Sequence, residues 1–98
     1  MSEAATTTTT VLKVKVPTMW KVTLHNDDFT PLEFVVELLQ AVFNKSSDEA
    51  LVIANHVHTS GKAQIGLYTK EIATTKAALA QQIAEDYEHP LLTTAEEA

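Results

Sequence analysis

The chain has 98 residues, 45% of them hydrophobic and 20% charged, which is typical of one small globular domain. It contains no cysteine, which excludes disulfides and thiolate metal sites, and its net charge of −6 argues against a nucleic-acid partner. No apolar stretch approaches the roughly 20 residues needed to cross a bilayer, and no secretory signal pattern is present, so we expect a cytoplasmic protein with no membrane partner.

Residues 1–17 differ in composition from the rest of the chain. A run of threonines, Thr6 to Thr10, has no hydrophobic period, and Pro17 interrupts the short alternating stretch that follows it. Such a segment buries little apolar surface, which predicts a disordered, flexible N-terminal tail, with a short induced strand as the alternative. We therefore assign the folded domain to residues 18–98.

The domain begins near residue 19 with alternating side chains, which predict a half-buried strand with Trp20, Val22 and Leu24 on one face. A polar loop at residues 25–29 follows. Thr30 and Glu33 then have the spacing of a capping box, and hydrophobic residues three and four apart predict an amphipathic helix at about 31–44.

A second capping box, Ser46 with Glu49, predicts another helix that ends at Gly61. Residues 62–68 alternate again and predict a strand, in which Gly66 indicates a bulge or a close approach of another group. The predicted inner face of this second helix consists of Ala50, Ile53, Ala54, Val57 and His58.

Thr69 is placed to cap a third helix, and residues 89–93 predict a short last strand that Pro90 confines to an edge or a strand start. Glu96 and Glu97 are expected to end the chain in solvent. The order is therefore βααβαβ, an α+β two-layer sandwich in which three helices cover a three-stranded antiparallel sheet. We expect the inward stripe of the third helix to be Ile72, Lys76, Leu79 and Ile83, with Ala73, Ala77, Ala80 and Ala84 permitting close packing.

Polar residues cluster in the loop before the first helix, at His25 to Asp28. Turn chemistry alone explains these residue types, because Asn and Asp bind nearby backbone groups. The same oxygens could instead take an ammonium group or a metal ion, and Asp27, Asp28 and His58 could serve a small metal-dependent hydrolase. A purely structural interaction domain is a third interpretation.

The hydrolase interpretation has little support from the rest of the sequence. There is no nucleophile elbow, and two glycines in the whole chain cannot build a phosphate-binding loop. His56 and His58 are two positions apart, so they do not face each other on a helix and chelate a metal poorly. We therefore expect neither catalysis nor a bound metal or cofactor.

Four stretches together resemble the ClpS family, the bacterial N-degron adaptors. They are residues 22–35, 57–63, 66–76 and 88–92, and they keep the family's order and spacing from Trp20 onward. Asn-Asp-Asp-Phe-Thr-Pro at 26–31, followed by Val-His-Thr-Ser-Gly at 57–61, is a far more specific combination than either motif alone.

The resemblance implies a non-catalytic adaptor for proteins whose free first residue is Leu, Phe, Tyr or Trp. Such an adaptor delivers them to a Clp AAA+ unfoldase for degradation by ClpP. By this likeness, Asn26, Asp27 and His58 take the α-amino group. The positions that form or border the side-chain pocket are Asp28, Thr30, Pro31, Leu32, Val35, Ala54, Val57 and Leu91.

The resemblance also implies partners. Glu71 and Lys76 correspond to positions that dock on the N-terminal domain of a ClpA- or ClpC-type unfoldase, and residues 1–17 correspond to an extension engaged during hand-off. No cofactor is implied, and a monomer is expected. Many family members have Met where this chain has Leu32, and Met or another large apolar residue where it has Ala54. Leu32 is of similar volume and is expected to crowd β-branched Ile and Val, whereas Ala54 widens the pocket and leaves the order of preference open.

Overall fold

A computed structural model describes residues 17–98, so the prediction of a disordered tail at 1–17 lies, apart from Pro17, outside the described residues. The predicted fold class is confirmed: three strands form one antiparallel sheet, and three helices complete the order βααβαβ. The elements are β1 Met19–His25, α1 Leu32–Phe43, α2 Ser47–Ser60, β2 Lys62–Thr69, α3 Lys70–Asp86 and β3 Leu92–Glu97.

β1 is the central strand, with β2 on one side and β3 on the other. Its Val22 and Leu24 are fully buried, as the alternating pattern predicts. Val22 pairs with Gly66 but Thr23 pairs with Gln64, so β2 has one extra residue at this point. A Cβ on Gly66 would lie 2.8 Å from the Tyr68 hydroxyl. Both features predicted from this glycine, a bulge and a close approach, are confirmed.

The two predicted capping boxes have different outcomes. The box at the start of α2 is confirmed: the Ser46 hydroxyl accepts from the Glu49 backbone N–H at 3.1 Å, and the Glu49 carboxylate accepts from the Ser46 N–H at 3.2 Å. The box at Thr30 is wrong, because Pro31 is the N-cap residue of α1 and no side chain caps that helix. The Thr30 hydroxyl is instead directed back into the preceding loop.

The end of α2 is also as predicted. Gly61 has φ 93°, a conformation that L-residues with side chains rarely adopt, and its N–H donates to the Val57 carbonyl at 2.9 Å. Thr69 occupies the N-cap position of α3, although its side chain makes no capping hydrogen bond. None of the helices within residues 17–98 is long and apolar enough to pass through a membrane.

The predicted inward stripe of α3 is wrong. Ile72 and Leu79 are 48% and 50% exposed, and Lys76 and Ile83 are only half-buried. The helix packs through small side chains, because a face of alanines lets its backbone approach the sheet closely, whereas larger side chains would hold it away. The buried residues of α3 are Ala73, Ala77, Ala80 and Ala84.

The last strand begins later than predicted and runs further. The N–H of His89 donates to the Ala84 carbonyl at 2.8 Å, so this residue belongs to the turn that ends α3. Pro90 has no N–H for a strand ladder, and β3 therefore starts at Leu92 and continues to Glu97, which pairs with Trp20. The final glutamates are exposed as expected, but they are part of the sheet.

Candidate functional site

A cavity of about 220 Å³ opens where the loop before α1 meets the end of α2 and the turn before β3. It is smaller than the roughly 300–1,000 Å³ pockets that hold drug-sized ligands, so it suits a single amino-acid side chain. The residues that line it are Asn26, Asp27, Asp28, Thr30, Leu32, Val35, Ala54, Val57, His58 and Leu91.

The inner wall of this cavity is apolar. Val35 faces it from α1, Ala54 and Val57 from α2, and Leu91 from the turn before β3. All four are buried, which places them at the deep end of the space. Leu32 is 38% exposed and therefore stands at the rim. Such a wall can cover an apolar side chain but offers nothing to a charged one.

The mouth of the cavity is polar. Asn26, Asp28 and His58 are exposed, whereas Asp27 and Thr30 are half-buried. Two carboxylates, an amide oxygen and an imidazole therefore stand next to one apolar space. Carboxylates only accept hydrogen bonds when ionised, and an amide or a neutral imidazole can also accept, so the mouth suits a cationic donor.

Helical spacing explains how α2 contributes to both parts. Ala54 and Val57 are three positions apart and lie on the face of α2 that packs inward. His58 follows in the last turn, where the helix reaches the loop. The sequence-based assignment of His58 to the inner face of this helix is therefore wrong as to burial, because the side chain is exposed, although it does line the cavity.

Asp27 holds the loop together. Its Oδ1 accepts the backbone N–H groups of Phe29 and Thr30, each at 2.8 Å, and its Oδ2 accepts the Thr30 hydroxyl at 2.7 Å. Partial burial raises the pKa of Asp27, but these three hydrogen bonds and the nearby His89 outweigh that effect, so the net pKa lies below its ordinary value. The carboxylate is therefore ionised at neutral pH.

Two longer-range contacts hold the loop against the rest of the fold. The N–H of Asn26 donates to the Gly61 carbonyl at 2.9 Å, which ties the loop to the residue that ends α2. His25 Nε2 lies 2.9 Å from the Thr94 hydroxyl of β3. Sequence reasoning missed this role of Gly61. The available signal was a glycine placed to end a helix three residues after His58.

The structure brings together every cavity residue predicted from the resemblance except Pro31. That proline is exposed at the N-cap of α1 and does not line the cavity. A proline suits the start of a helix because its missing N–H would have no partner there. Within residues 17–98, no three His, Asp or Glu side chains are grouped so that they could share a metal ion.

A second surface lies on the outer side of α3, and we call it the α3 groove. Lys76 crosses it, with Nζ donating to the Val42 carbonyl at 2.8 Å and lying 5.8 Å from the ring centroids of Phe43 and Tyr68. Both predicted docking residues, Glu71 and Lys76, are found here. The groove is lined by Val42, Glu71, Ile72, Thr75, Lys76 and Leu79.

Comparisons with known proteins show what this chain is similar to. The family model described as ATP-dependent Clp protease adaptor protein ClpS matches residues 15–94. The ATP-dependent Clp protease adapter protein ClpS of Parvibaculum lavamentivorans is 49% identical over 91% of this chain and 81% of its own length. Its counterpart from Erwinia tasmaniensis is 48% identical over 88% of this chain and 81% of its own length.

A solved structure is similar as well. Agrobacterium tumefaciens ClpS2 bound to L-phenylalaninamide superposes with a TM-score of 0.83 at 37% identity, covering 85% of this chain and 100% of that one. Together these matches define the class as small adaptors of an ATP-dependent protease. The chain belongs to the ClpS family of Clp protease adaptor proteins.

Proposed function

We propose that this protein is a cytoplasmic, monomeric and non-catalytic adaptor for proteins that begin with a free, bulky hydrophobic residue. It binds such a first residue, Leu, Phe, Tyr or Trp, in the cavity beside the loop. It then delivers the bound protein to a Clp AAA+ unfoldase for degradation by ClpP. ATP hydrolysis and peptide-bond cleavage belong to these partners.

The observation that carries the proposal is the division of the cavity into a polar mouth and an apolar inner wall. A free N-terminus has a positive charge and N–H donors next to the first side chain, so it needs both parts at once. In this proposal Asn26, Asp27 and His58 face the α-amino group. The ligand of the solved relative, L-phenylalaninamide, has the same two features, a free amine and a bulky side chain.

The expected affinity is moderate. Hydrogen bonds to a charged group contribute about 1.5–3 kcal/mol each. Burial of a Leu or Phe side chain contributes about 1.5–3 kcal/mol more. After the cost of ordering the peptide, a total near −8 kcal/mol corresponds to micromolar binding. Such affinity allows an adaptor to release what it carries.

The same groups account for discrimination between chain starts and other residues. An internal Leu has no ammonium group, so binding it would cover the acceptors at the mouth without giving them donors, and unpaired buried acceptors are costly. Acetylation of the first residue removes the charge and adds bulk at the same point. The need for an ammonium group and the limited space around it therefore favour a free N-terminus over an internal or acetylated residue.

Choice among first residues depends on the rim and the inner wall. Leu32 stands at the rim, where it would crowd a side chain branched at Cβ, so Ile and Val should bind more weakly than Leu. Ala54 contributes only a methyl group to the inner wall and leaves room for the larger aromatic rings. Equal affinity for peptides beginning with Leu and Ile would rule out this role of Leu32.

The α3 groove is the proposed docking surface for the N-terminal domain of the unfoldase. Ile72 and Leu79 offer exposed apolar contacts, and Glu71 and Lys76 add a charge of each sign. Residues 1–17 are proposed to act during hand-off. Deleting them should leave peptide binding intact and impair delivery, whereas loss of peptide binding would contradict this role.

The proposal is tested by titrating the protein against labelled peptides that differ only in their first residue. Peptides beginning with Phe, Tyr, Trp and Leu should bind with micromolar dissociation constants, and those beginning with Ser or Glu should not. The matched control is the Phe peptide with an acetylated N-terminus, which should also fail to bind. Absence of binding by all the hydrophobic peptides would overturn the proposal.

A further inference from the structure

Thr30 closes a small hydrogen-bonded ring within the loop. Its hydroxyl donates to Oδ2 of Asp27 at 2.7 Å, and its backbone N–H donates to Oδ1 of the same carboxylate at 2.8 Å. The N–H of Phe29 makes a second bond to Oδ1, also at 2.8 Å. All three donors belong to the loop itself, so the carboxylate is held in one orientation before any ligand arrives.

We propose that Thr30 is a positioning residue for recognition of the chain start, acting through Asp27 rather than by touching the ligand. Its hydroxyl holds the Asp27 carboxylate in place at the mouth of the cavity that Asn26 and His58 also line. The inference rests on the proposed function, because it assigns a role within the same site. It predicts that loss of one hydroxyl weakens binding of every first residue alike.

The start of α1 supports this assignment. A threonine one residue before the first helical turn ordinarily accepts from the free backbone N–H groups there, and its loss as a cap weakens a helix. Here Pro31 is the N-cap residue and α1 has no side-chain cap, while the Thr30 hydroxyl is bonded to Asp27. The hydroxyl therefore stabilises the loop instead of the helix.

The bonding pattern also leaves Asp27 able to attract a cation. A carboxylate has about four lone-pair positions, and the loop fills three of them. One position and the negative charge remain on a residue that lines the cavity. Bonds from one neutral hydroxyl and two amides orient the group without neutralising it, whereas a lysine or arginine partner would cancel its charge.

The surroundings of Asp27 are consistent with a group that stays charged. Asp28 follows it in the loop, His58 lines the cavity from α2, and His89, in the turn after α3, is close enough to lower its pKa. Hydrogen bonds from Thr30 and Phe29 outweigh the effect of burial on the carboxylate, as described above. Removal of the Thr30 hydroxyl takes away one of these bonds, so Asp27 should then protonate more easily.

Three variants test the role of the hydroxyl. Thr30→Val removes the donor and keeps the branched shape, Thr30→Ser keeps the donor, and Thr74→Val is a control in which an exposed helical hydroxyl bonds only to backbone carbonyls of its own helix. Peptides beginning with Phe and with Leu are titrated against each. Thr30→Ala is a second variant without the hydroxyl, should the valine side chain disturb folding.

We expect Thr30→Val to weaken the binding of both peptides by about tenfold. This is the loss expected if the loop is ordered in only about a tenth of the molecules, because the apparent affinity falls by the same fraction. Thr30→Ser should recover most of the loss. In the same proteins without peptide, NMR titration of the Asp27 side-chain carboxyl should show a higher midpoint in Thr30→Val than in the wild type. A threonine that merely supports the fold would not move that midpoint.

Other outcomes overturn the inference. Unchanged affinity in Thr30→Val, or an unchanged Asp27 titration, shows that the hydroxyl does not position the carboxylate. A change in the Phe-to-Leu ratio without a change in the Asp27 midpoint shows that Thr30 acts by contact with the ligand. If the wild-type protein binds neither peptide, the proposed function fails, and the NMR titration alone still decides whether Thr30 fixes Asp27.

Discussion

The cavity and the α3 groove are built in opposite ways. At the cavity, hydrogen bonds from Thr30 and Phe29 fix Asp27, and the bond from Asn26 to Gly61 ties the loop to α2. At the groove, large apolar side chains stand out from a helix that packs through alanine, and the cross-connection is the bond from Lys76 to the Val42 carbonyl.

The two surfaces therefore suit different kinds of ligand. A small ligand makes few contacts, so its site gains most from groups that are oriented beforehand. A protein partner covers a wide area and supplies many contacts itself, so an open apolar surface with a charged rim is sufficient. We therefore expect variants of the two regions to separate peptide binding from delivery.

The largest effect is expected at the mouth of the cavity. Replacing both Asn26 and His58 by Ala removes two proposed acceptors for the α-amino group, so affinity for a Phe-starting peptide should fall by at least about a hundredfold. Binding to the unfoldase should not change. The control is His56→Ala, an exposed histidine of the same helix turn. If the double variant bound peptide normally, these residues would not be the acceptors.

The next effect concerns the groove. Ile72→Asp places a charge where a partner would cover an apolar side chain, so we expect about tenfold weaker binding to the unfoldase, or about 1.4 kcal/mol. Peptide affinity should remain that of the wild type. Val52→Asp is the control, because Val52 is 69% exposed on α2 and lies outside both surfaces. Equal losses in both variants would argue against a specific docking role of the groove.

A smaller effect is expected at Gly61, where one substitution should lower both the stability of the fold and the affinity for peptide. Gly61→Ala meets no atom within 4 Å but must adopt φ 93°, so a destabilisation of about 1–2 kcal/mol is expected from backbone strain alone. Relaxation of this strain would move the carbonyl that accepts from Asn26, so peptide affinity should fall severalfold as well. Chemical denaturation and peptide titration measure the two effects. Lowered stability with unchanged affinity would show that this tie does not position the loop.

The smallest effect is a dependence of stability on pH. The folded pKa of Asp27 lies below its ordinary value of 3.8, so ionised Asp27 stabilises the fold above that value, and the contribution is lost as pH falls through the folded pKa. Asp27→Asn removes this dependence. The difference in unfolding free energy between the two proteins should therefore shrink on acidification below about pH 5. A constant difference would contradict the hydrogen-bond pattern of the loop.

Local signals in the sequence predicted much of the fold. Ser46 with Glu49 marks the start of α2 and Gly61 its end, because each depends on neighbouring residues alone. Gly66 marks the bulge, because a residue without a side chain is typical of such a point in a strand. The inward face of α3 could not be read in this way. Ile72 is more hydrophobic than the alanines that are buried in its place. The distance between the helix and the sheet decides which face is buried, and that distance depends on how the two layers pack.

In the candidate site, too, some features could be predicted from the sequence and others depended on the folded structure. The cavity residues at 26–28, 30 and 57–58 were predicted from a resemblance in sequence, and the structure brings them to one cavity. The role of Thr30 was misjudged, because a hydroxyl can cap a helix or bond to a carboxylate, and only the path of the loop determines which. The tie from Asn26 to Gly61 was missed, since it joins groups far apart in the chain.

The most direct measurement is a double-mutant cycle that combines acetylation of a Phe-starting peptide with His58→Ala. In the wild type, acetylation should weaken binding by at least about a hundredfold, because it removes the charge that the mouth of the cavity accepts. In His58→Ala the same acetylation should cost much less, because one acceptor is already gone. An equal loss on acetylation in both proteins would contradict the account, since His58 would then not contact the α-amino group.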